Sequence, residues 1–154
     1  DASEGNSPGW KYAEWELRGV PLRLEVGPKD IEKGAVFSAR RDTREKASIP
    51  MADLATRVPE LLQAIQDNLL ARAREFRETH TAEVATWAEF TAAMEGRPGF
   101  LIASWCGSAE CETAIKAETQ ATLRNIPMGS PAVDGTCIKC DGASQVKAWF
   151  AKSY

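Results

Sequence analysis

The sequence predicts an α/β protein built from two small units, the second of them stapled by a metal ion. Three features of the 154 residues lead to this prediction. Apolar and charged residues alternate over 22–26, as in a half-buried strand. Apolar residues recur at helical spacing over 51–79. Four cysteines form two close pairs in the second half of the chain, and a hydrophobic content of 44% is enough to build a core.

Turn-forming residues divide the start of the chain into short elements. Gly19 and Pro21 end a helix, and Gly27 followed by Pro28 ends the alternating strand. The predicted order is a loop over 1–9, a helix over 10–18, a strand over 22–26, one helical turn over 29–33, and strands over 35–41 and 45–49.

The longest regular pattern is one amphipathic helix over 51–79. Because the strands before it need cover on one face, its apolar stripe is predicted to be core rather than a partner site. Pro59 fits this helix if it lies in the first turn, where no backbone N–H is needed. The stripe consists of Val58, Leu61, Leu62, Ile65, Leu69, Ala73 and Phe76.

The pattern restarts after His80, and a domain boundary is predicted there. It divides the chain into residues 1–80 and 81–154. The second unit is predicted to be a small α+β domain, with helices over 86–94 and 108–118, strands over 99–105, 123–127 and 146–152, and a loop over 128–135.

Charge and length exclude some classes of function. The net charge of −3 gives no overall attraction to nucleic acid, although residues 18–46 carry eight Lys or Arg against five acids. A solvated surface explains such a bias more often than a binding site does. No apolar run approaches the roughly 20 residues that cross a bilayer, so no membrane partner is expected. His80 is the one histidine, and no Ser/His/Asp arrangement can be built.

The four cysteines have the spacing of a structural zinc site. Cys106 and Cys111 form a C-x4-C pair, and Cys137 and Cys140 form a C-x2-C pair. Two disulfides or four separate buried thiols are the alternatives. Small residues that follow the cysteines favour turns in which backbone amides approach the sulfurs. Four thiolates leave no open position for substrate, so the metal is expected to be structural and not catalytic.

Part of the sequence resembles the anticodon-binding domain of prolyl-tRNA synthetases of the archaeal and eukaryotic-like type. The resemblance is carried by PGWKY at 8–12, WELR at 15–18, GVPLRLEVGPKD at 19–30, ARRDT at 39–43 and EK at 45–46. The two cysteine pairs and the final aromatic residue, Tyr154, extend the resemblance to the C-terminal domain of the same synthetases. The implied first unit is thus a partial anticodon-binding domain, a mixed sheet with helices.

The resemblance implies that the chain reads the anticodon loop of tRNA(Pro), whose anticodon ends in two guanines. A guanine presents donors on its Watson–Crick edge, which suit a carboxylate, and acceptors on its Hoogsteen edge, which suit Arg or Lys. The implied base readers are Glu16, Arg23, Asp30 and Lys46, and Arg40, Arg41 and Arg44 suit phosphates.

Three of the implied base readers also have an ordinary structural interpretation. Glu16 can be a helix-surface acid, Arg23 can be part of a solvated strand pair, and Asp30 can be a helix cap. Trp10 and Trp15 could stack on bases, but tryptophans beside a sheet are expected in its core.

The resemblance also implies a larger parent protein. It predicts a cytoplasmic, homodimeric proline–tRNA ligase whose ATP and Mg²⁺ bind a catalytic domain absent from these residues, with zinc in the C-terminal domain. Tyr154 would face that catalytic domain. The alternative is a free-standing module that binds tRNA or protein and reuses the same fold.

Overall fold

A computed structural model describes residues 1–96, 99–129 and 134–153. The chain forms two compact units, Asp1–Arg74 and Glu75–Tyr154. The division between them falls within a long helix, whose end is where the sequence predicts the domain boundary. None of the helices in these described ranges has the length and apolar character that crossing a bilayer requires.

The first unit is a three-stranded antiparallel sheet with one long and two short helices. Its strands are ordered β1-β2-β3, and both pairs are antiparallel. The elements are α1 (Pro8–Leu17), β1 (Leu22–Glu25), α2 (Pro28–Glu32), β2 (Ala35–Arg40), β3 (Lys46–Pro50), a 3₁₀ turn (Met51–Asp53) and α3 (Leu54–Thr79).

The two faces of this sheet have different roles. On one face Val36 lies opposite Ile49, both are buried, and buried Ile65 of α3 belongs to the same unit. The other face carries the row that contains Arg23, which pairs with Ala39 of β2. The alternation of residues 22–26 therefore predicts the charged face correctly, because successive strand side chains point to opposite sides.

The apolar stripe of α3 is buried over less of its length than predicted. Ile65 is 3% exposed, but Leu69 is 38% and Phe76 is 65% exposed. The reason is length, since a 26-residue helix extends over about 39 Å whereas strands of five or six residues reach only about 17–20 Å. Pro59 lies inside the helix beyond its first turn, so that part of the prediction is wrong.

The second unit is a four-stranded mixed sheet with two helices. The strands are ordered β4-β5-β7-β6; β4 and β5 are parallel and the other pairs are antiparallel. Phe90, Ile115 and Phe150 are fully buried between the sheet and the helices. The elements are β4 (Thr81–Glu83), α4 (Trp87–Glu95), β5 (Phe100–Trp105), α5 (Ala109–Thr119), β6 (Ala121–Asn125) and β7 (Val146–Lys152).

The predicted α/β class with a mixed sheet and helices is confirmed. The mixed sheet is that of the second unit, whereas the described sheet of the first unit, predicted to be mixed, is antiparallel. Two details of the second unit also differ. The short strand β4 was not predicted, because three residues are too few for a visible alternation. The strand β6 begins two residues earlier than predicted, because Gln120 adopts a left-handed conformation with φ 63° that ends α5 abruptly. Four residues of the predicted loop over 128–135, those at 130–133, lie outside the described residues.

Candidate nucleic-acid interface and metal centre

A cleft of 630 Å³ lies beside α1 and β1 in the first unit. Four residues that the sequence marks for RNA contact line it: Glu16, Arg23, Asp30 and Arg41. They come from α1, β1, α2 and the end of β2, so four separate elements bring the predicted set together.

Glu16 accepts from two arginines at the edge of this cleft. Its Oε1 accepts from Arg23 Nη1 at 3.1 Å, and its Oε2 accepts from Arg44 Nη1. Arg44, and then Arg23, hold the pKa of Glu16 below its ordinary value. Glu16 is therefore an ionised carboxylate that acts as an acceptor only, as a reader of guanine donors must be.

Arg23 is held by two further contacts. Its Nε donates to Glu25 Oε1 at 2.9 Å, and its Cζ lies 3.7 Å from the centroid of the Tyr12 ring. The sequence prediction did not include Tyr12. A signal was present, because Tyr12 and Glu16 are four residues apart in α1 and therefore share one helix face.

Lys46 does not line the cleft, yet it shares a sheet face with Arg23. The strand register places Arg23 opposite Ala39 and Ala39 opposite Lys46, so the three residues form one row. Two strand spacings separate Arg23 from Lys46, roughly 9–10 Å. Lys46 is exposed at the start of β3.

Asp30 is engaged as a helix cap in the described structure. Its Oδ2 accepts from the backbone N–H of Gly27 at 2.9 Å, which satisfies a donor at the start of α2. Asp30 also lines the cleft. Its structural and functional interpretations are thus compatible, because a carboxylate has a second oxygen.

The three predicted phosphate contacts have different surroundings. Arg40 donates to both oxygens of Asp42, at 3.1 and 2.8 Å, and lies on the opposite sheet face from Arg23. Arg41 donates to the backbone carbonyl of Glu16 at 3.2 Å. The side chain of Arg44 is 71% exposed at the tip of the β2–β3 turn. Arg44 is thus the most accessible of the three.

The two tryptophans of α1 are not core residues, contrary to the sequence prediction. Trp10 is 50% exposed and Trp15 is 41% exposed. Both lie in a helix with no buried residue in the described structure. Trp15 donates from Nε1 to Asp1 Oδ2 at 2.7 Å and lines the cleft.

The second unit brings all four cysteines together. The sulfur atoms of Cys106, Cys111, Cys137 and Cys140 lie within 4.8 Å of one another, and all four are free thiols. Cys106 follows the end of β5, and Cys111 lies in the first turn of α5. The Ser108 hydroxyl begins that helix by accepting from the Cys111 N–H at 3.2 Å.

The second cysteine pair lies in a tight turn. The Cys137 N–H donates to the Gly142 carbonyl at 2.7 Å, and the Lys139 N–H points at the Cys137 sulfur, 3.5 Å away. The bond from the Ile138 N–H to the Ser104 carbonyl, at 2.8 Å, ties this turn to β5. A Cβ at Gly142 would lie 3.3 Å from the Cys140 sulfur, so a side chain there would crowd that sulfur. The approach of the Lys139 N–H to the Cys137 sulfur is the kind of backbone contact that the sequence predicts.

The thiols have unequal acidities. The Ser108 backbone N–H, and its hydroxyl, lower the pKa of Cys106 to about 6. The Ser108 hydroxyl also favours the Cys111 thiolate, but burial and the neighbouring sulfurs of Cys140 and Cys106 raise the pKa of Cys111 to about 12. Four thiolates this close repel one another unless a cation lies among them.

The sulfur geometry fits a tetrahedral metal ion. Metal–sulfur bonds of about 2.3 Å place the sulfurs of such a site about 3.8 Å apart. The sulfurs of Cys106 and Cys140 are 3.8 Å apart, far from the roughly 2.05 Å of a disulfide. These four cysteines can therefore hold one ion with the donor set that zinc prefers.

One residue beside the metal centre was not predicted from the sequence. Lys139, between the two cysteines of the second pair, places its Nζ 3.9 Å from the centroid of the Trp87 ring and 2.6 Å from Glu118 Oε2. It thus fastens the cysteine turn to α4 and α5. Tyr154, predicted to face a catalytic domain, lies outside the described residues.

Two family profiles match this chain. One, described as "Anticodon binding domain", matches residues 1–61, and the other, described as "Prolyl-tRNA synthetase, C-terminal", matches residues 87–154. The chain carries the anticodon-binding and C-terminal domains of prolyl-tRNA synthetases. The family resemblance inferred from the sequence is therefore confirmed.

Similar full-length proteins bear the name proline–tRNA ligase, an aminoacyl-tRNA synthetase. One from Chlorobium phaeobacteroides is 48% identical over 100% of this chain and 33% of its own length. One from Symbiobacterium thermophilum is 43% identical over 96% of this chain and 32% of its own length. The chain thus spans about a third of the length of the curated relatives it matches.

Solved structures of prolyl-tRNA synthetases are also similar. The enzyme from Cryptosporidium parvum, complexed with L-proline and AMP, superposes with a TM-score of 0.88 at 35% identity. The match covers 100% of this chain and 33% of that one. A second structure of that enzyme, with halofuginone and AMPPNP, gives a TM-score of 0.86 at 34% identity.

Proposed function

We propose that this chain binds the anticodon loop of tRNA(Pro) as part of a proline–tRNA ligase. The observation that carries the proposal is the adjacency of Arg23 and Glu16 in the cleft, joined at 3.1 Å. One residue is a planar donor and the other an ionised acceptor. Together they supply both kinds of group that the two edges of a guanine require.

The roles of the two residues follow from their chemistry. The Arg23 guanidinium donates to O6 and N7 of one guanine, the commonest specific contact between a protein and a base. The Glu16 carboxylate accepts from the N1 and N2 donors of a guanine. Asp30 and Lys46, in the cleft wall and in the row of Arg23, complete the set of base readers.

The proposal for the second unit is a structural zinc site. The ion would be held by Cys106, Cys111, Cys137 and Cys140. It would cross-link the chain without taking part in catalysis, because four thiolates fill its coordination sphere.

We also propose that the parent is a cytoplasmic homodimer that joins proline to tRNA with ATP and Mg²⁺ on a catalytic domain. Tyr154 would approach that domain.

The test is binding of the chain to an RNA stem–loop that carries a proline anticodon. Replacing both guanines of the anticodon by adenines should weaken binding, and Arg23→Ala should weaken binding to the guanine loop by about 1–3 kcal/mol. Arg57→Ala, on the exposed side of α3, is the matched control. Equal binding of the guanine and adenine loops would favour a free-standing module over the anticodon reader.

A further inference from the structure

Tyr12 covers the guanidinium of Arg23 in the described structure. The Arg23 Cζ lies 3.7 Å from the ring centroid, and both residues line the cleft beside α1. A planar guanidinium stacks on an aromatic face. The ring therefore sets the plane of the guanidinium, which a four-bond side chain would otherwise leave free to turn.

Two carboxylates fix the guanidinium within that plane. Glu25 accepts from Nε at 2.9 Å, and Glu16 accepts from Nη1 at 3.1 Å. Burial raises the pKa of Tyr12, and the neighbouring Glu25 carboxylate raises it further, so the hydroxyl stays protonated. Glu25 therefore lies near the ring hydroxyl and also accepts from the arginine that lies on the ring. The Tyr12 ring and the carboxylates of Glu25 and Glu16 together restrain the Arg23 side chain.

The restrained arginine keeps donors for a ligand. Arginine has five N–H groups, and two of them donate to Glu25 and Glu16. Within the described part of the chain, this leaves three for a base, at Nη1 and Nη2. Because these three are held in one orientation, little side-chain freedom is lost when a bidentate contact forms.

We propose that Tyr12 is a positioning residue that orients Arg23 toward the Hoogsteen edge of an anticodon guanine. This inference rests on the proposed function and extends it to a residue outside the predicted set of readers. Tyr12 acts through Arg23. It increases the preference for guanine because the Arg23 N–H donors are already oriented toward O6 and N7 of the base.

The test uses the full chain and two RNA stem–loops with a proline anticodon. One loop is unmodified, and in the other both anticodon guanines are 7-deazaguanine, which lacks the N7 acceptor and keeps the Watson–Crick edge. The wild-type chain should prefer the unmodified loop by about tenfold, the effect of one good base contact. Tyr12→Leu should bring the two affinities to within about twofold, and Tyr12→Phe, which keeps the ring, should retain the preference.

The outcomes separate the inference from the proposed function. Equal weakening on both loops by Tyr12→Leu, or an unchanged preference, would overturn the positioning role. A wild-type chain that binds both loops and an unrelated loop equally would overturn the proposed function as well. Arg23→Ala separates failure of the positioning role from failure of the proposed function. If Arg23 reads the base, this substitution abolishes the preference for the unmodified loop, whether or not Tyr12 orients Arg23.

If Tyr12→Leu fails to fold, a second measurement tests whether Tyr12 positions Arg23. The ring current of Tyr12 should shift the Arg23 side-chain proton resonances upfield in wild-type and Tyr12→Phe chains. A positioning role requires that this shift persist when the unmodified loop is bound. Loss of the shift on binding would show that Arg23 leaves the ring to reach the RNA, which overturns the inference.

Discussion

The side-chain amide of Asn68 donates a 2.7 Å hydrogen bond to Asp42 Oδ2, which joins α3 to the turn after β2. The Asp42 side chain is 1% exposed and also accepts two bonds from Arg40. The Arg40 guanidinium, and then Asn68, hold the pKa of Asp42 far below its usual range. This network fixes the turn from which Arg44 reaches Glu16.

Replacing Asp42 with Asn should destabilise the first unit in a pH-dependent way. Because the pKa of Asp42 is lower in the folded than in the unfolded state, its contribution is complete above about pH 4 and falls away at lower pH. Asp42→Asn should therefore cost about 1.5–3 kcal/mol near pH 7. It should also flatten the decline in unfolding free energy below pH 4. Urea unfolding followed through the β2 and β3 amide signals measures both effects.

The control for that substitution is Asp67→Asn. Asp67 is exposed on α3 and accepts only from Gln63 among the described residues. Its replacement should change the unfolding free energy by less than about 0.5 kcal/mol. If Asp42→Asn showed the same pH dependence as the wild-type chain, Asp42 would not be the linked group.

Lys139 should stabilise the cysteine turn through its contact with Trp87. Its side chain is 17% exposed, whereas Glu118 is 52% exposed, so the cation–π contact should outweigh the ion pair. Lys139→Met should lower the free energy of local opening by about 0.5–2 kcal/mol. Amide hydrogen exchange in residues 136–145 measures that opening.

Lys116→Met is the matched control, because Lys116 is exposed on α5 and the substitution is the same. It should leave exchange in residues 136–145 unchanged. Equal effects of the two substitutions would assign the change to lost charge instead of the contact with Trp87.

The sequence predicts local features of this protein better than contacts between distant elements. The side of the strand on which Arg23 lies follows from period-two alternation, and the convergence of the cysteines follows from ligand spacing. Neither pattern contains the contact of Lys139 with Trp87, which exists only after α4 packs beside the cysteine turn. The exposure of Trp15 depends on what covers α1, and no local pattern encodes that.

The metal prediction is that the purified chain contains about one zinc ion. Cys137 is the most buried of the four cysteines, with 1% of its surface exposed. Cys137→Ser should therefore abolish zinc binding. A chelator should make the amides of both cysteine turns exchange faster in the wild-type chain, and added zinc should reverse this. Metal analysis and hydrogen exchange measure the two effects. A chelated chain whose second unit stays fully protected would contradict a structural role for zinc.

Arg44, in the turn after β2, should bind RNA, whereas Arg40, the last residue of β2, should be structural. Arg44 donates to Glu16 from Nη1, but its side chain is 71% exposed and its remaining donors can meet a phosphate. Arg44→Gln should therefore reduce the salt slope of RNA binding by about one. Arg40 lies on the opposite sheet face from Arg23 and is bound to Asp42. Arg40→Gln should therefore leave the slope unchanged and lower the stability of the first unit. Binding titrations at several salt concentrations measure the slope, and a lower slope for Arg40→Gln would instead place Arg40 at the RNA backbone.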